Sequence, residues 1–368
     1  MILKYNLLVI IFGLLCLSFS SLKINTDTTG VLPATALKPF GRYTVNKEQN
    51  VELISSAVHV GFSFEGNECR IFASIPSLAG HNYLQYELEG EYEKRIKISA
   101  NSKLPIVLTA QKGGTHTVWV YKATEAHTGA IVVQKITGKN VKALPKPSAP
   151  LIEFIGNSIT CGAAADASEV PCGIGEYHDH HNAYYAYGPV LARALGTNFI
   201  LSSVSGIGVY RNWNSDGPAM PQVYEKVDFQ ENNTQHWNFK NYTPQVVSIA
   251  LGTNDFSKGD GVKKRMPFDS AGFVSAYIKF VQLVKSKYPN AQLALLSSPM
   301  ISGPSRLTLQ NCLTAVKEEI DALHPEDRRV ALYFFEPREA HGCSGHPDVK
   351  DHAIMAKELV PFFKKLLL

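Results

Sequence analysis

Four short segments of this chain hold residues that together could carry out acyl transfer. Gly156-Asn157-Ser158 offers a hydroxyl, and Ser205-Gly206-Ile207-Gly208 a turn with unencumbered backbone N–H groups. Gly252-Thr253-Asn254-Asp255 adds a side-chain amide, and Gly345-His346-Pro347 an imidazole. A serine hydroxyl is a weak nucleophile until a base within hydrogen-bond reach takes its proton. A neutral imidazole does this near physiological pH, so Ser158 reads as nucleophile and His346 as its base. The attacked carbonyl becomes an oxyanion and needs donors already aimed at it. The backbone N–H groups of Ser158 and Gly206 and the side-chain amide of Asn254 can serve. Each segment alone has a bland reading, as a helix cap or a turn glycine. The case rests on all four occurring in one chain.

Such residues need elements that bring them to one place. After residue 150, apolar strands alternate with longer helical stretches. The pattern predicts strands at Leu151–Ile155, Asn198–Ser202, Val246–Leu251, Gln292–Ser297 and Val330–Phe334. It predicts helices around Ala183–Leu195, Ala271–Lys287, Leu307–Leu323 and Val349–Leu367. This alternation argues a three-layer α/β domain with a mainly parallel sheet covered on both faces. The candidate residues then follow strand ends, at the sheet edge where small ligands bind. Residues 207–243 are long and irregular, but Trp213 and Trp237 argue against disorder.

The first part of the chain reads differently. Short alternating runs at 58–64, 70–75, 83–88, 115–121 and 130–136 are separated by Glu65-Gly66-Asn67, Gly113-Gly114 and Thr128-Gly129. That is the pattern of an antiparallel β-sandwich. Residues 143–150 hold three prolines and read as a stiff linker. At the N-terminus, Lys4 precedes an apolar stretch, Leu7–Leu17, and the small residues Ser18–Ser21. This predicts a secretory signal rather than a membrane span, because the apolar run is short. The expected organisation is therefore signal 1–21, sandwich 22–142, linker 143–150 and α/β domain 151–368. The mature protein is expected outside the cell, or in the periplasm of a Gram-negative source, and free of the membrane.

Composition narrows the classes further. With 45% hydrophobic and 18% charged residues, the chain is an ordinary folded protein. A net charge of +4 with scattered Lys and Arg gives no basic tract for nucleic acid. Once Cys16 leaves with the signal, Cys69, Cys161, Cys172, Cys312 and Cys343 remain, so at least one thiol stays unpaired. Spacing cannot fix connectivity; Cys161 with Cys172 and Cys312 with Cys343 are the expected pairs. His178-Asp179-His180-His181 has the composition of a metal cluster. It sits in a glycine-rich stretch with no further ligands nearby, so a solvated loop is expected. No metal or other cofactor is required by the chemistry.

The four segments resemble the blocks of the SGNH (GDSL-type) hydrolases. More specifically, the chain is similar to carbohydrate esterase family 2, whose members join an N-terminal jelly-roll sandwich to an SGNH domain. Residues 156–162, 205–213 and 251–257 carry most of this likeness. The resemblance implies O-deacetylation of plant-type polysaccharides such as xylan or glucomannan. It also implies that Trp213 contacts substrate as a stacking platform or a wall near the acetyl group, with Tyr210 a second contact. The sandwich is expected to pack on the esterase domain. Two departures stand out. Asn157 occupies a position where the superfamily usually has Asp. The residues where His346 should find an acidic partner are Cys343 and Ser344. Either a backbone carbonyl orients the imidazole in a Ser-His dyad, or a carboxylate comes from elsewhere. Asp348 and Asp351 are expected to open the last helix instead. Two rival functions remain: a lipase- or thioesterase-like enzyme, and a glycan-binding protein with a degenerate site.

Overall fold

The computed structural model describes residues 29–76, 80–102 and 105–368. The expected signal, 1–21, lies outside these residues. Nine antiparallel strands form the N-terminal part: β1 (Thr29–Pro33), β2 (Tyr43–Val45), β3 (Val51–Leu53), β4 (His59–Ser74), β5 (His81–Leu88), β6 (Glu91–Ser99), β7 (Ile106–Thr109), β8 (Thr115–Lys122) and β9 (Ile131–Ala143). They pair in the order β2-β3-β9-β4-β8-β5-β6, with β1 on β9 and β7 on β4. Alternate residues of β4, such as Val60, Phe62 and Phe64, point into one apolar core with Leu84, Val118, Val120, Ile131 and Val133.

One sequence expectation changes here, and one strand carried no sequence signal. Glu65-Gly66-Asn67 is not a hairpin turn; it lies inside β4, where the register with β9 shifts on both sides of Glu65. A bulge reverses no chain direction but uses the same residue types as a turn. The charged strand β6 escapes the alternation test because it is a sheet edge, with most of its residues partly or fully exposed.

The C-terminal part is a five-stranded sheet of β10 (Leu151–Gly156), β11 (Asn198–Ser203), β12 (Val246–Ala250), β13 (Gln292–Leu296) and β14 (Ala331–Tyr333). All neighbours are parallel, in the order β11-β10-β12-β13-β14. Its helices are α1 (Ser158–Cys161), α2 (Tyr187–Leu195), α3 (Met220–Val223), α4 (Thr253–Phe256), α5 (Ser270–Lys287), α6 (Gly303–Leu323) and α7 (Val349–Leu366). Alternate side chains of each strand serve opposite faces. Ile155, Val247, Ile249 and Leu295 pack towards α5 and α6. Ile152, Phe154, Leu201 and Leu296 pack towards α2 and α7. The continuous apolar runs of these strands follow from burial on both faces. Between β11 and β12, Val209, Met220, Tyr224, Phe229 and Trp237 are buried, which orders the long irregular stretch. Among the described residues, no helix is long and apolar enough to cross a membrane.

Candidate active site

Strand register brings the first three segments together. Gly156 pairs with Ser203 on one side and Ala250 on the other, so β10, β11 and β12 finish level. The chain then turns sharply into α1. A Cβ on Gly156 would lie 2.0 Å from Thr160 Oγ1, so the turn accepts only glycine there. Asn157 caps α1, its side-chain oxygen accepting the Ile159 N–H at 3.1 Å. An aspartate oxygen would make the same bond, which explains why asparagine serves. Ser158 is the first residue of α1, and its N–H belongs to the set that a helix leaves without internal partners.

Gly206 adopts φ +75°, a left-handed conformation that side chains other than glycine's resist. Asn254 is buried, and its amide donates one hydrogen to the Ile207 carbonyl at 2.8 Å. The amide carries two hydrogens, so one remains for a ligand. Asp255 is fully buried and accepts the N–H groups of Val209, Tyr210 and Arg211 at 2.8–3.2 Å. It ties the turn after β11 to the turn after β12.

His346 follows the far edge strand β14, yet it reaches β10. Three links return it. Cys343 N–H donates to the Ala164 carbonyl at 2.8 Å, Val349 N–H to the Ala165 carbonyl at 3.1 Å, and Cys343 forms a disulfide with Cys172. His346 Nε2 then lies 2.9 Å from Ser158 Oγ. Its Nδ1–H donates to the Ser344 carbonyl at 3.0 Å, with Ser344 itself at φ +52°. The imidazole is thus oriented by a backbone carbonyl. Asp348 caps α7 by accepting the Asp351 N–H, and Asp351 pairs with His341. Burial holds the His346 pKa below its ordinary value, although the Ser344 carbonyl pulls it up.

The cleft over Ser158 and His346 is walled by Trp213, Asn254, Ser257, Lys258 and Ser302. Trp213 is 45% exposed and also borders a second depression, which takes in Gly206, Phe229 and, from the loop after β8, His127. Tyr210 is not brought to this cleft; its ring lies over Gly272 at the start of α5. Tyr177 is a contact that the sequence did not signal. Its hydroxyl lies 3.3 Å from His346 Nε2.

Two further expectations are corrected. The disulfide is Cys172–Cys343, while Cys69, Cys161 and Cys312 are buried thiols. Cys161 is buried 3.2 Å from Ser203 Oγ, and Cys172 is bonded to Cys343 instead. Nor is 178–181 a solvated loop. Asp179, His180 and His181 are buried because the N-terminal sheet covers them: Tyr83 and His81 hydrogen-bond the Asp179 carboxylate. Among the described residues no group of His, Cys, Asp and Glu is arranged to hold a metal ion.

Comparison with known proteins agrees with this fold. Residues 40–147 match the carbohydrate esterase 2 N-terminal family, and residues 154–342 the GDSL-like lipase/acylhydrolase family. The chain belongs to the GDSL-like acylhydrolases, and its N-terminal part is similar to that of the family 2 carbohydrate esterases. It is a carboxylic ester hydrolase. It is 24% identical over 335 residues to an acetylxylan esterase/glucomannan deacetylase of Cellvibrio japonicus, covering 90% of this chain and 89% of that protein. It is 29% identical over 342 residues to the cellulase/esterase CelE of Acetivibrio thermocellus, covering 89% of this chain but 39% of CelE. Among solved structures, it superposes with a TM-score of 0.77 on a family two carbohydrate esterase from Clostridium thermocellum in complex with cellohexaose. Identity there is 27%, over 92% of this chain and 99% of that one. The GDSL match ends before His346, so the histidine's place in the site rests on the geometry above.

Proposed function

We propose that this chain is a secreted O-acetyl esterase of plant-type polysaccharides such as xylan and glucomannan, working through an acyl-enzyme on Ser158. The observation that carries this reading is the 2.9 Å contact of Ser158 Oγ with His346 Nε2, beside donors on Ser158, Gly206 and Asn254. In the first half-reaction Ser158 Oγ attacks the acetyl carbon while its proton passes to His346 Nε2. The tetrahedral oxyanion accepts hydrogen bonds from Ser158 N–H, Gly206 N–H and the Asn254 amide. The bond to the sugar oxygen breaks, and that oxygen takes the proton from His346. In the second, water loses a proton to His346 and attacks the acetyl-serine, releasing acetate and restoring Ser158.

The relatives' activities support acetylated xylan or glucomannan as substrate. Trp213, exposed beside Ser158, is suited to stack on a sugar ring. A cleft bordered by Ser257, Lys258 and Ser302 suits a sugar better than a long acyl chain. The disulfide supports export, since such bonds persist in oxidising compartments. The boundaries 22–142 for the sandwich and 151–368 for the hydrolase domain belong to the same proposal.

The test is acetate release from acetylated xylan and from an aryl acetate. Ser158→Ala should lose about a thousandfold or more in turnover. Asn254→Ala should lose about a hundredfold. Undiminished turnover in Ser158→Ala overturns the mechanism. A preference for long acyl groups in an ester chain-length series overturns the acetyl assignment and favours a lipase-like enzyme.

A further inference from the structure

Glu125 comes from the N-terminal sheet domain, in the loop after β8, and is buried under the hydrolase site. Three donors from the hydrolase domain face its carboxylate. Ser205 N–H donates to Oε2 at 2.6 Å, His181 Nε2 lies 3.3 Å from Oε1, and the Cys161 thiol lies 3.7 Å from Oε2. The His181 tautomer follows from its other nitrogen. Nδ1 accepts the Ala164 N–H at 3.3 Å, so Nε2 carries the hydrogen and donates to Glu125. Cys161 remains a thiol because burial and the nearby Glu125 charge push its pKa up.

Each donor sits on a different wall of the active site. Ser205 precedes Gly206 directly. Cys161 ends the short helix that Ser158 opens. The His181 ring packs edge-on against Tyr177 at 4.7 Å, and the Tyr177 hydroxyl reaches His346. The Glu125 loop is itself held, since Lys122 Nζ donates to the Thr124 and Glu125 carbonyls. Burying a carboxylate costs several kcal/mol unless donors meet it. Here burial raises its pKa, and the hydrogen bonds from His181 and Ser205 outweigh that, bringing it to about 2.

We propose that Glu125 is a positioning residue for the oxyanion hole: a carboxylate of the N-terminal domain that fixes the Ser205–Gly206 turn so that Gly206 N–H faces the developing oxyanion. This rests on the reading of Ser158 as nucleophile and Gly206 as donor. The Ser205 bond is charge-assisted, the stronger kind of hydrogen bond. Restraint on a donor matters because preorganisation is what such donors supply. The carboxylate also favours the protonated form of His346 electrostatically. The titratable groups around that imidazole are Tyr177, His181, His352 and Glu125, while Lys122, His181 and Cys161 face Glu125.

The experiment compares wild type with Glu125→Gln, Glu125→Asp, Gly206→Ala and the double variant Glu125→Gln/Gly206→Ala on an aryl acetate, with Ser158→Ala as reference. A Gln amide would set N–H groups against donors already present. Glu125→Gln should lower kcat about tenfold or more with KM nearly unchanged. Its acid limb in kcat/KM should move to lower pH, because loss of the negative charge disfavours the imidazolium. The loss should be less than additive with Gly206→Ala, since both act on one donor. Glu125→Asp keeps the charge but withdraws it by one methylene; it should lower kcat while leaving the acid limb in place. If Ser158→Ala stays active, the nucleophile reading itself has failed. If Ser158→Ala is inactive but folded Glu125→Gln keeps the wild-type kcat and acid limb, Glu125 only docks the two domains and the inference is overturned. If Glu125→Gln does not fold, Glu125→Asp decides alone: an unchanged kcat overturns the inference.

Discussion

His346 carries the heaviest chemical demand in the site. In the proposed mechanism it must be neutral to take the Ser158 proton and must then hold a positive charge until the leaving oxygen departs. A carboxylate partner would favour that charge; the Ser344 carbonyl, 3.0 Å from Nδ1, chiefly fixes the tautomer and the ring plane. Burial lowers the His346 pKa and outweighs the carbonyl's upward pull. A base with a lowered pKa stays unprotonated to lower pH, so the acid limb of kcat/KM should lie below the ordinary histidine value of 6.5. A pH series on an aryl acetate checks this, and a limb at or above that value contradicts it.

The element that places His346 is a loop, not a strand or helix. It leaves the edge strand β14, crosses back over the sheet ends, and is pinned through Cys343 to Cys172 and to the Ala164 carbonyl. The disulfide closes a long stretch, with a sequence separation of 171 residues. Loss of such a link frees chain entropy in the unfolded state, and here it also loosens the segment three residues before the base. Cys172→Ser should lower stability by about 2–4 kcal/mol and reduce kcat/KM, with wild type in reductant behaving alike. Thermal unfolding and turnover, measured with and without dithiothreitol, check both. A reduced enzyme that keeps its melting point and its rate would show that the backbone bonds alone hold the loop.

At the scale of the whole molecule, the N-terminal sheet is built into the hydrolase. Arg42 is fully buried, donates to the Tyr224 carbonyl at 2.7 Å, and stacks over Phe229 at 4.0 Å. Arg95 donates to the Asp179 and His181 carbonyls at 2.9 and 2.7 Å. His59 packs on Phe199 of β11, with ring centroids 4.7 Å apart. Burial lowers the pKa of His59, and of His352 in α7, to about 4. These groups are neutral when folded and take up protons more readily when unfolded. Their stabilisation is complete above about pH 6.5 and is lost as pH falls towards about 4, on the order of 3 kcal/mol each. Glu125, at about 2, acts below that window. The melting temperature should therefore drop between about pH 6.5 and 4. His59→Gln, which keeps a donor for the Ala57 carbonyl, should flatten that drop. An equal decline in both proteins would exclude His59 as a cause.

Much of this was legible in the sequence because it is local. Apolar runs and periodicity located all five parallel strands and the long helices, since burial on two faces leaves a pattern within a few residues. The blocks around Ser158, Gly206 and Asn254 were legible for the same reason: each is a turn that follows a strand, and parallel strands end together. What the sequence could not state depends on residues far apart meeting. The Cys172–Cys343 pair, the carbonyl partner of His346 and the Tyr177 contact all arise where loops from different strands converge. The burial of Asp179–His181 and the reach of Glu125 into the site required the second domain to be in place. Sequence determined which groups could react. Tertiary structure decided how those groups are held, because hydrogen bonds and disulfides between distant segments leave no period in the chain.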